Sequence, residues 1–164
     1  MTWRADGALC QAWAHLPGGD VVGVLAARGP DGRDEIRVGR IPEEAREKGY
    51  VTSLFGRRRY FPGIRDRNFA VRSRAEREAI NMPIQGTASD IVKIAMINVY
   101  NALRKESLGT RMIMQVHDEL LFEAPKGEIE KASAIIKREM ESAATLSVPL
   151  IAEIGVGDNW MNAK

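Results

Sequence analysis

Residues 112 to 123 read Met-Ile-Met-Gln-Val-His-Asp-Glu-Leu-Leu-Phe-Glu, two apolar arms around a polar cluster. This pattern predicts a half-buried hairpin, whose tight turn gathers His117, Asp118 and Glu119 into one small volume. Adjacent carboxylates repel each other, so a divalent cation, a basic partner or bulk water must screen them. The cluster therefore predicts a metal site. The alternative is an exposed turn that carries ordinary solubilising charge.

The composition indicates one compact domain with attachments. The chain has 164 residues, 45% of them apolar, which is enough to bury one core. It has no apolar run of about 18 residues and no leader with a cleavage site, so we expect a cytoplasmic protein without membrane contact. The single cysteine, Cys10, excludes an internal disulfide framework. Cys10, His15 and His117 lack the spacing of zinc ligands.

Basic residues are concentrated between Arg57 and Arg77, where eight arginines outnumber two acids. The whole chain carries a net charge of only +2, so the remainder is acidic. Arginine can grip phosphate with two parallel hydrogen bonds, and Tyr60, Phe61 and Phe69 lie between the arginines as candidate stacking surfaces. The window predicts contact with a nucleic-acid backbone. A solvated charged face is the alternative.

A polar stripe follows this window. Arg77, Asn81 and Gln85 lie four residues apart, which places them along one face of a helix. All three can donate hydrogen bonds to the acceptors of a duplex minor groove, which look nearly the same for every base pair. The stripe therefore predicts a contact that senses the shape of paired DNA without reading sequence. The alternative is a solvent-facing polar surface.

The order of the remaining elements predicts an α+β fold, an antiparallel sheet with helices packed on one face. A capping-box spacing from Ser73 to Glu76 predicts a helix from Arg74 that Pro83 and Gly86 interrupt. The other expected elements are the end of a helix at 43–48, a hairpin of 51–54 with 57–61, helices at 87–105 and 128–144, and strands at 21–27 and 150–156.

Three segments carry a resemblance to a known family. Residues 46–60, 75–88 and 115–119 resemble, in this order, the C-terminal palm portion of family A DNA polymerases of the bacterial repair type. The likeness continues through Val-Pro-Leu at 148–150 and Gly-Asp-Asn-Trp at 157–160, and it covers roughly residues 41–164. Residues 1–40 form an unmatched N-terminal extension, and the sequence leaves open whether they fold.

The resemblance implies roles for the turn residues. Asp118 matches the second catalytic aspartate, a ligand of the Mg²⁺ ions that activate the primer 3′-hydroxyl and hold the incoming triphosphate. Two such ions, about 4 Å apart, stabilise both the attacking and the leaving oxygen of a phosphoryl transfer. Glu119 is implied to tune the metal site as a secondary acid, and His117 to lie against the primer terminus.

The resemblance also implies partners. Arg77, Asn81 and Gln85 match a helix that follows the minor groove of primer-template duplex DNA. Phosphates of the template or primer strand would contact the basic residues of the window, Arg57, Arg58, Arg59 and Arg74. In the full-length family a deoxynucleoside triphosphate is a further partner.

Two parts of the family pattern are missing from this sequence. The strand reading Asp-Tyr-Ser-Gln-Ile-Glu, which carries the first catalytic aspartate, does not occur, and neither does the helix that binds the triphosphate. Asp20 is the only residue that could imitate the missing aspartate. We therefore expect weak Mg²⁺ binding and no activity from this chain alone. It is either an incomplete polymerase, whose other half could be a separate chain, or a non-catalytic duplex-DNA-binding module or gene remnant.

Overall fold

The structure is a computed structural model that describes residues 7–15, 41–146 and 149–163, of which 7–15 are described by their backbone alone. It is an α+β fold with two antiparallel sheets, as predicted. Its elements are β1 (Gly7–His15), α1 (Ile41–Lys48), β2 (Tyr50–Thr52), β3 (Arg58–Tyr60), α2 (Phe69–Lys105), β4 (Arg111–Val116), β5 (Glu119–Pro125), α3 (Ile129–Glu141) and β6 (Ile151–Gly157). Among the described residues, no helix is both long and apolar enough to cross a membrane.

The described residues form two compact units. The first unit lies within Met1–Val21 and Ile91–Lys164, and the second lies within Val22–Asp90. Helix α2 contributes residues to both. The first unit holds a four-stranded sheet in the order β4-β5-β1-β6. Its core is built from apolar side chains of α2, β5, α3 and β6, including Val99, Leu120, Phe122, Ile136 and Ala152. Leu120, Phe122 and Ala124 of β5 all contribute to this core, because every second side chain of a strand faces the same side.

Strand β1 lies in the interior of this sheet, between β5 and β6. Its residues Gly7 to Trp13 pair antiparallel with Pro125 to Glu119, and Leu9 to His15 pair with Gly157 to Ile151. The sequence did not predict a strand here, because alanine has a low strand propensity and every second residue from Ala8 to Ala14 is Ala or Cys. The strand expected at 21–27 and the residue Asp20 lie outside the described residues.

Helix α2 contradicts the expectation of two helices separated by Pro83 and Gly86. It is one helix of 37 residues with Pro83 inside it. Both residues are buried, and a Cβ at Gly86 would come 2.7 Å from Cε of Met82. Side-chain packing around Pro83 and Gly86 therefore outweighs the hydrogen bond that proline removes.

The predicted start of α2 at Arg74 was also wrong. The helix begins at Phe69, and Oδ1 of Asn68 accepts a hydrogen bond from the N–H of Ala70 at 2.9 Å. Asn68 is thus the N-terminal cap, a role in which asparagine is strongly favoured. The hydroxyl of Ser73 accepts a hydrogen bond from Arg77 instead of capping the helix.

The shorter elements agree with prediction to within a few residues. Helix α1 ends before Gly49, which has a φ of +77°, the left-handed geometry expected of a terminating glycine. Strands β2 and β3 form the predicted hairpin, and β6 forms at the expected place. Helix α3 is shorter than expected and ends at Glu141.

The second unit has its own apolar core, which is formed by Ile41, Ala45, Phe61, Ile64, Ala75, Ala79 and Met82.

Candidate functional site

The predicted turn at His117 and Asp118 is present and joins β4 to β5. Val116 pairs directly with Glu119, so only two residues form the turn. His117 has a φ of +54°, at a position that favours Gly, Asn or Asp. The side-chain amide of Gln115 donates a hydrogen bond to the carbonyl oxygen of His117. The turn therefore holds a strained histidine next to an aspartate.

The structure brings the carboxylates of Asp118 and Glu119 to the same end of the hairpin. Asp118 is exposed and Glu119 is half-buried. Within the described residues, neither side chain forms a hydrogen bond or an ion pair. Their oxygens are hard ligands that suit Mg²⁺, which takes one or two protein carboxylates and completes its shell with water and substrate phosphate. No group of three or more His, Cys, Asp or Glu side chains among the described residues could hold a metal ion. The turn thus offers part of a ligand set.

Glu128 fixes the start of β4 from the opposite end of the hairpin. Its carboxylate accepts hydrogen bonds from the N–H of Gly109 and the N–H of Thr110, both at 3.0 Å, and from the Thr110 hydroxyl at 2.9 Å. The bond from the Gly109 N–H is the main cause that lowers the pKa of Glu128 below its ordinary value of 4.5. An ionised Glu128 therefore holds the loop that leads into β4.

Arg57 is the first of the predicted phosphate-binding residues. Its Nε donates to Oδ1 of Asp90 at 2.6 Å, and its Nη2 donates to the carbonyl oxygen of Gly86 at 2.9 Å. The side chain of Asp90 is only 11% exposed, and its Oδ2 has no hydrogen-bond partner among the described residues. Arg57 therefore ties the end of the β2–β3 turn to helix α2.

Arg59 and Arg74 share one acid. Glu78 accepts a hydrogen bond from Arg59 at 2.7 Å and another from Arg74 at 2.9 Å. The bond from Arg74 is the main cause that lowers the pKa of Glu78. Arg58 differs from its neighbours: its guanidinium lies over the ring of Tyr50, 4.8 Å from the centroid, and it has no carboxylate partner in the described part of the chain.

The polar stripe of α2 is exposed along its length. Arg77, Asn81 and Gln85 all face solvent, while Ala79 and Met82 on the other side of the helix are buried. The side chains of Asn81 and Gln85 form no hydrogen bond within the described residues. The stripe therefore presents unused donors in a row. It belongs to the second unit, whereas the His117-Asp118 turn belongs to the first.

Sequence reasoning missed the acids that engage the arginine window. Glu78 stands four residues after Arg74, so the helical spacing could have revealed that pair. Asp90 lies far from Arg57 along the sequence, and only the fold brings the two together. Asp90 pairs with Arg57, and Glu78 pairs with Arg59 and Arg74. The window therefore contains fewer unpaired arginines than its net charge suggests.

Comparisons with known proteins agree on one family. The sequence profile of DNA polymerase family A matches residues 38–162. The DNA polymerase I of Geobacillus stearothermophilus is 54% identical over 124 residues, covering 76% of this chain and 14% of that protein. The thermostable DNA polymerase I of Thermus thermophilus is 52% identical over 122 residues, covering 74% of this chain and 14% of that protein.

A solved structure shows the same likeness in three dimensions. It is described as the POL domain of Pol1 from M. smegmatis in complex with DNA primer-template and dNTP. It superposes with a TM-score of 0.74 at 44% identity, over 77% of this chain and 22% of that one. The present chain thus spans only a small part of each of these relatives. Strand β1 lies outside the segment that the family profile matches.

Proposed function

Since the chain belongs to DNA polymerase family A, we propose that it forms the C-terminal palm portion of a template-directed DNA polymerase of replication or repair, and that it binds primer-template duplex DNA. The observation that carries this proposal is the position of Asp118, whose exposed carboxylate lies in the two-residue turn of the β4–β5 hairpin with no competing partner among the described residues. A nucleotidyl-transfer site needs such an available metal ligand.

In this proposal Asp118 is a catalytic residue that holds Mg²⁺. Asp118 would hold the Mg²⁺ ion, which would supply the positive charge that lowers the pKa of the primer hydroxyl and neutralises the triphosphate of the incoming deoxynucleotide. Glu119, half-buried beside Asp118, adds negative charge that strengthens cation binding. His117 contacts the primer terminus from the first turn position. These roles suit the hairpin because the pair of Val116 with Glu119 closes a two-residue turn, which keeps His117 and Asp118 next to Glu119.

Duplex DNA engages the second unit. Arg77, Asn81 and Gln85 donate to minor-groove acceptors along α2. Arg58 contacts phosphate directly, since no carboxylate competes for it among the described residues. Arg59 and Arg74 contact phosphate from their shared ion pair with Glu78, and Arg57 holds the β2–β3 turn in place for these contacts.

The proposal predicts distinct effects along the stripe. Arg77→Ala should reduce the slope of log affinity against log salt for a primer-template duplex by about one, because one phosphate-proximal charge is removed. Asn81→Ala and Gln85→Ala should each weaken affinity about 2- to 10-fold with an unchanged slope, because each removes a neutral donor. Fluorescence anisotropy at several salt concentrations measures both quantities.

Exposed residues elsewhere on α2 supply the controls. Arg104→Ala and Asn101→Ala remove the same side-chain types from the same helix, and both variants should bind duplex DNA as the unaltered chain does. Equal losses of duplex affinity in the control and stripe variants would mean that the stripe is an ordinary solvated surface.

A second candidate function is a duplex-DNA-binding module without catalysis. It is favoured because, within the residues that the structure describes, no three His, Cys, Asp or Glu side chains are arranged to hold a metal ion. Both functions predict that the purified chain, given Mg²⁺, deoxynucleoside triphosphates and primed template, extends no primer. Incorporation that Asp118→Ala abolishes would contradict this. Mg²⁺ titration observed by NMR separates the two, because only the polymerase portion predicts shifts at Asp118.

A further inference from the structure

The β2–β3 hairpin has one face fixed to its own unit and one face free. Pairing of Tyr50 with Tyr60, Val51 with Arg59 and Thr52 with Arg58 sets the register. Side chains alternate along strands, so Val51 and Arg59 share the inner face. Val51 packs against the apolar core of the unit, and Arg59 bonds Glu78. The inner face is thus already occupied.

The outer face carries two tyrosines and one arginine, which we call the hairpin platform (Tyr50, Arg58 and Tyr60). The rings of Tyr50 and Tyr60 have their centroids 5.5 Å apart at an interplanar angle of 58°. Tyr60 is 63% exposed. Arg58 covers Tyr50, with its guanidinium carbon 4.8 Å from the ring centroid. The stack leaves the ring of Tyr60 open to solvent.

The charges of the hairpin differ between neighbouring residues. Arg57 pairs with the carboxylate of Asp90, and Arg59 pairs with that of Glu78, which it shares with Arg74. Arg58 has no such partner among the described residues, although it stands between them. The guanidinium of Arg58 lies over Tyr50, whose ring centroid is 5.5 Å from that of the exposed Tyr60. A cation and an exposed ring on one face match the two parts of a nucleotide, because the cation attracts phosphate and the ring stacks on the base.

We propose that the hairpin platform binds an unpaired nucleotide of single-stranded DNA, with its base on the ring of Tyr60 and its phosphate on Arg58. Single-strand sites in general combine an aromatic stacking surface with positive charge. Duplex DNA could use only Arg58, because its bases are stacked on each other and offer no free face to a tyrosine. The stacking contact of Tyr60 therefore goes beyond the duplex contacts of the proposed function and is separable from them, whereas Arg58 serves both ligands.

Anisotropy titrations with a labelled oligothymidine and with a blunt duplex test this. Tyr60→Ala should weaken oligothymidine binding at least about fivefold, in the range found for removal of one base–aromatic stack, and leave duplex affinity within about twofold. Tyr60→Phe keeps the ring and should bind as the unaltered chain does. Arg58→Ala should weaken both ligands and lower the salt dependence for each.

A second exposed tyrosine–arginine pair supplies the matched control. Arg104 lies 5.6 Å over the ring of Tyr100 on α2, and Tyr100 is 53% exposed. If any exposed tyrosine could stack on a base, Tyr100→Ala would weaken oligothymidine binding as much as Tyr60→Ala does. The proposal predicts instead that Tyr100→Ala leaves oligothymidine affinity unchanged. Equal losses, or full oligothymidine affinity in Tyr60→Ala, would overturn the proposal.

Crosslinking of the unaltered chain keeps the test independent of variant folding. An oligonucleotide with a single 5-iodouracil should photocrosslink to the peptide that contains Tyr60, as identified by mass spectrometry. Crosslinks that map only to other peptides would overturn the proposal even if every variant folds. The outcome is also separate from the duplex test, because loss of duplex binding in the stripe variants leaves the oligothymidine result unchanged.

Discussion

At the scale of single residues, neighbouring arginines of the same hairpin have different tasks. The side chain of Arg57 is 44% exposed, yet it compensates an aspartate that is almost fully buried. The guanidinium of Arg58, the next residue, lies over the ring of Tyr50 and has no carboxylate partner in the described part of the chain. Sequence alone treats these arginines as equivalent, because the composition of the window contains no information about which carboxylates the fold brings near.

Arg57→Ala should lower the free energy of unfolding by about 1–3 kcal/mol, because Asp90 would keep its burial and lose its partner. Arg58→Ala should change it by no more than about 0.5 kcal/mol, as expected for an exposed side chain without a specific partner. Urea unfolding followed by circular dichroism measures both. Equal effects of the two substitutions would mean that the pair with Asp90 contributes no stability.

At the scale of elements, the turn at Asp118 could be predicted from sequence because its information is local: two apolar arms and a polar pair of residues fix a hairpin. Helix α2 could not, because its continuity through Pro83 depends on packing that local rules do not include. Strand β1 was missed for a similar reason, since its small residues suit a place between two strands that lie far away in sequence.

The stability that the loop before β4 contributes to the fold should depend on pH, because Glu128 holds this loop. The pKa of this carboxyl is below its ordinary value of 4.5 in the folded chain, so its stabilising effect is complete above about pH 4.5 and is lost as the pH falls through the folded pKa. Glu128→Gln should therefore be less stable than the unaltered chain at neutral pH. The gap in unfolding midpoint between the two proteins should narrow in acid.

Other acids titrate in the same range, so the comparison is made between the two proteins at each pH. Glu130→Gln removes a nearby acid for which no bond to this loop is found, and at neutral pH its unfolding midpoint should stay closer to that of the unaltered chain than the midpoint of Glu128→Gln does. A Glu128→Gln difference that stays constant in acid would contradict the assigned role of the carboxylate.

At the scale of the whole molecule, the four-stranded sheet draws one strand from outside the family-matched segment. Residues 38–162 match the family, and β1 ends at His15. Without β1, the facing edges of β5 and β6 would each lose a paired strand, and unpaired edges favour association between chains. The N-terminal residues therefore contribute to the stability of the part that resembles a polymerase.

Ala12→Pro tests this dependence. Ala12 pairs with Leu120 on one side and with Ile154 on the other, and proline cannot donate the ladder hydrogen bond of an interior strand. The free energy of unfolding should fall by at least about 1–3 kcal/mol, the cost of an unsatisfied buried backbone group. Ala12→Ser keeps the N–H and serves as the control. Matching urea midpoints for the two variants would show that β1 does not support the sheet.

The position of β1 also sets the timing of folding. Trp13 pairs with Glu119 and His15 with Ile151, so β1 cannot pair with either neighbour until residues far behind it in the sequence have been synthesised. Contacts between such distant residues form slowly, because a long loop must close before they contribute energy. The hairpin with Asp118 can form early from local contacts. The sheet that surrounds it is completed later, because β1 and its two neighbours come from distant parts of the sequence.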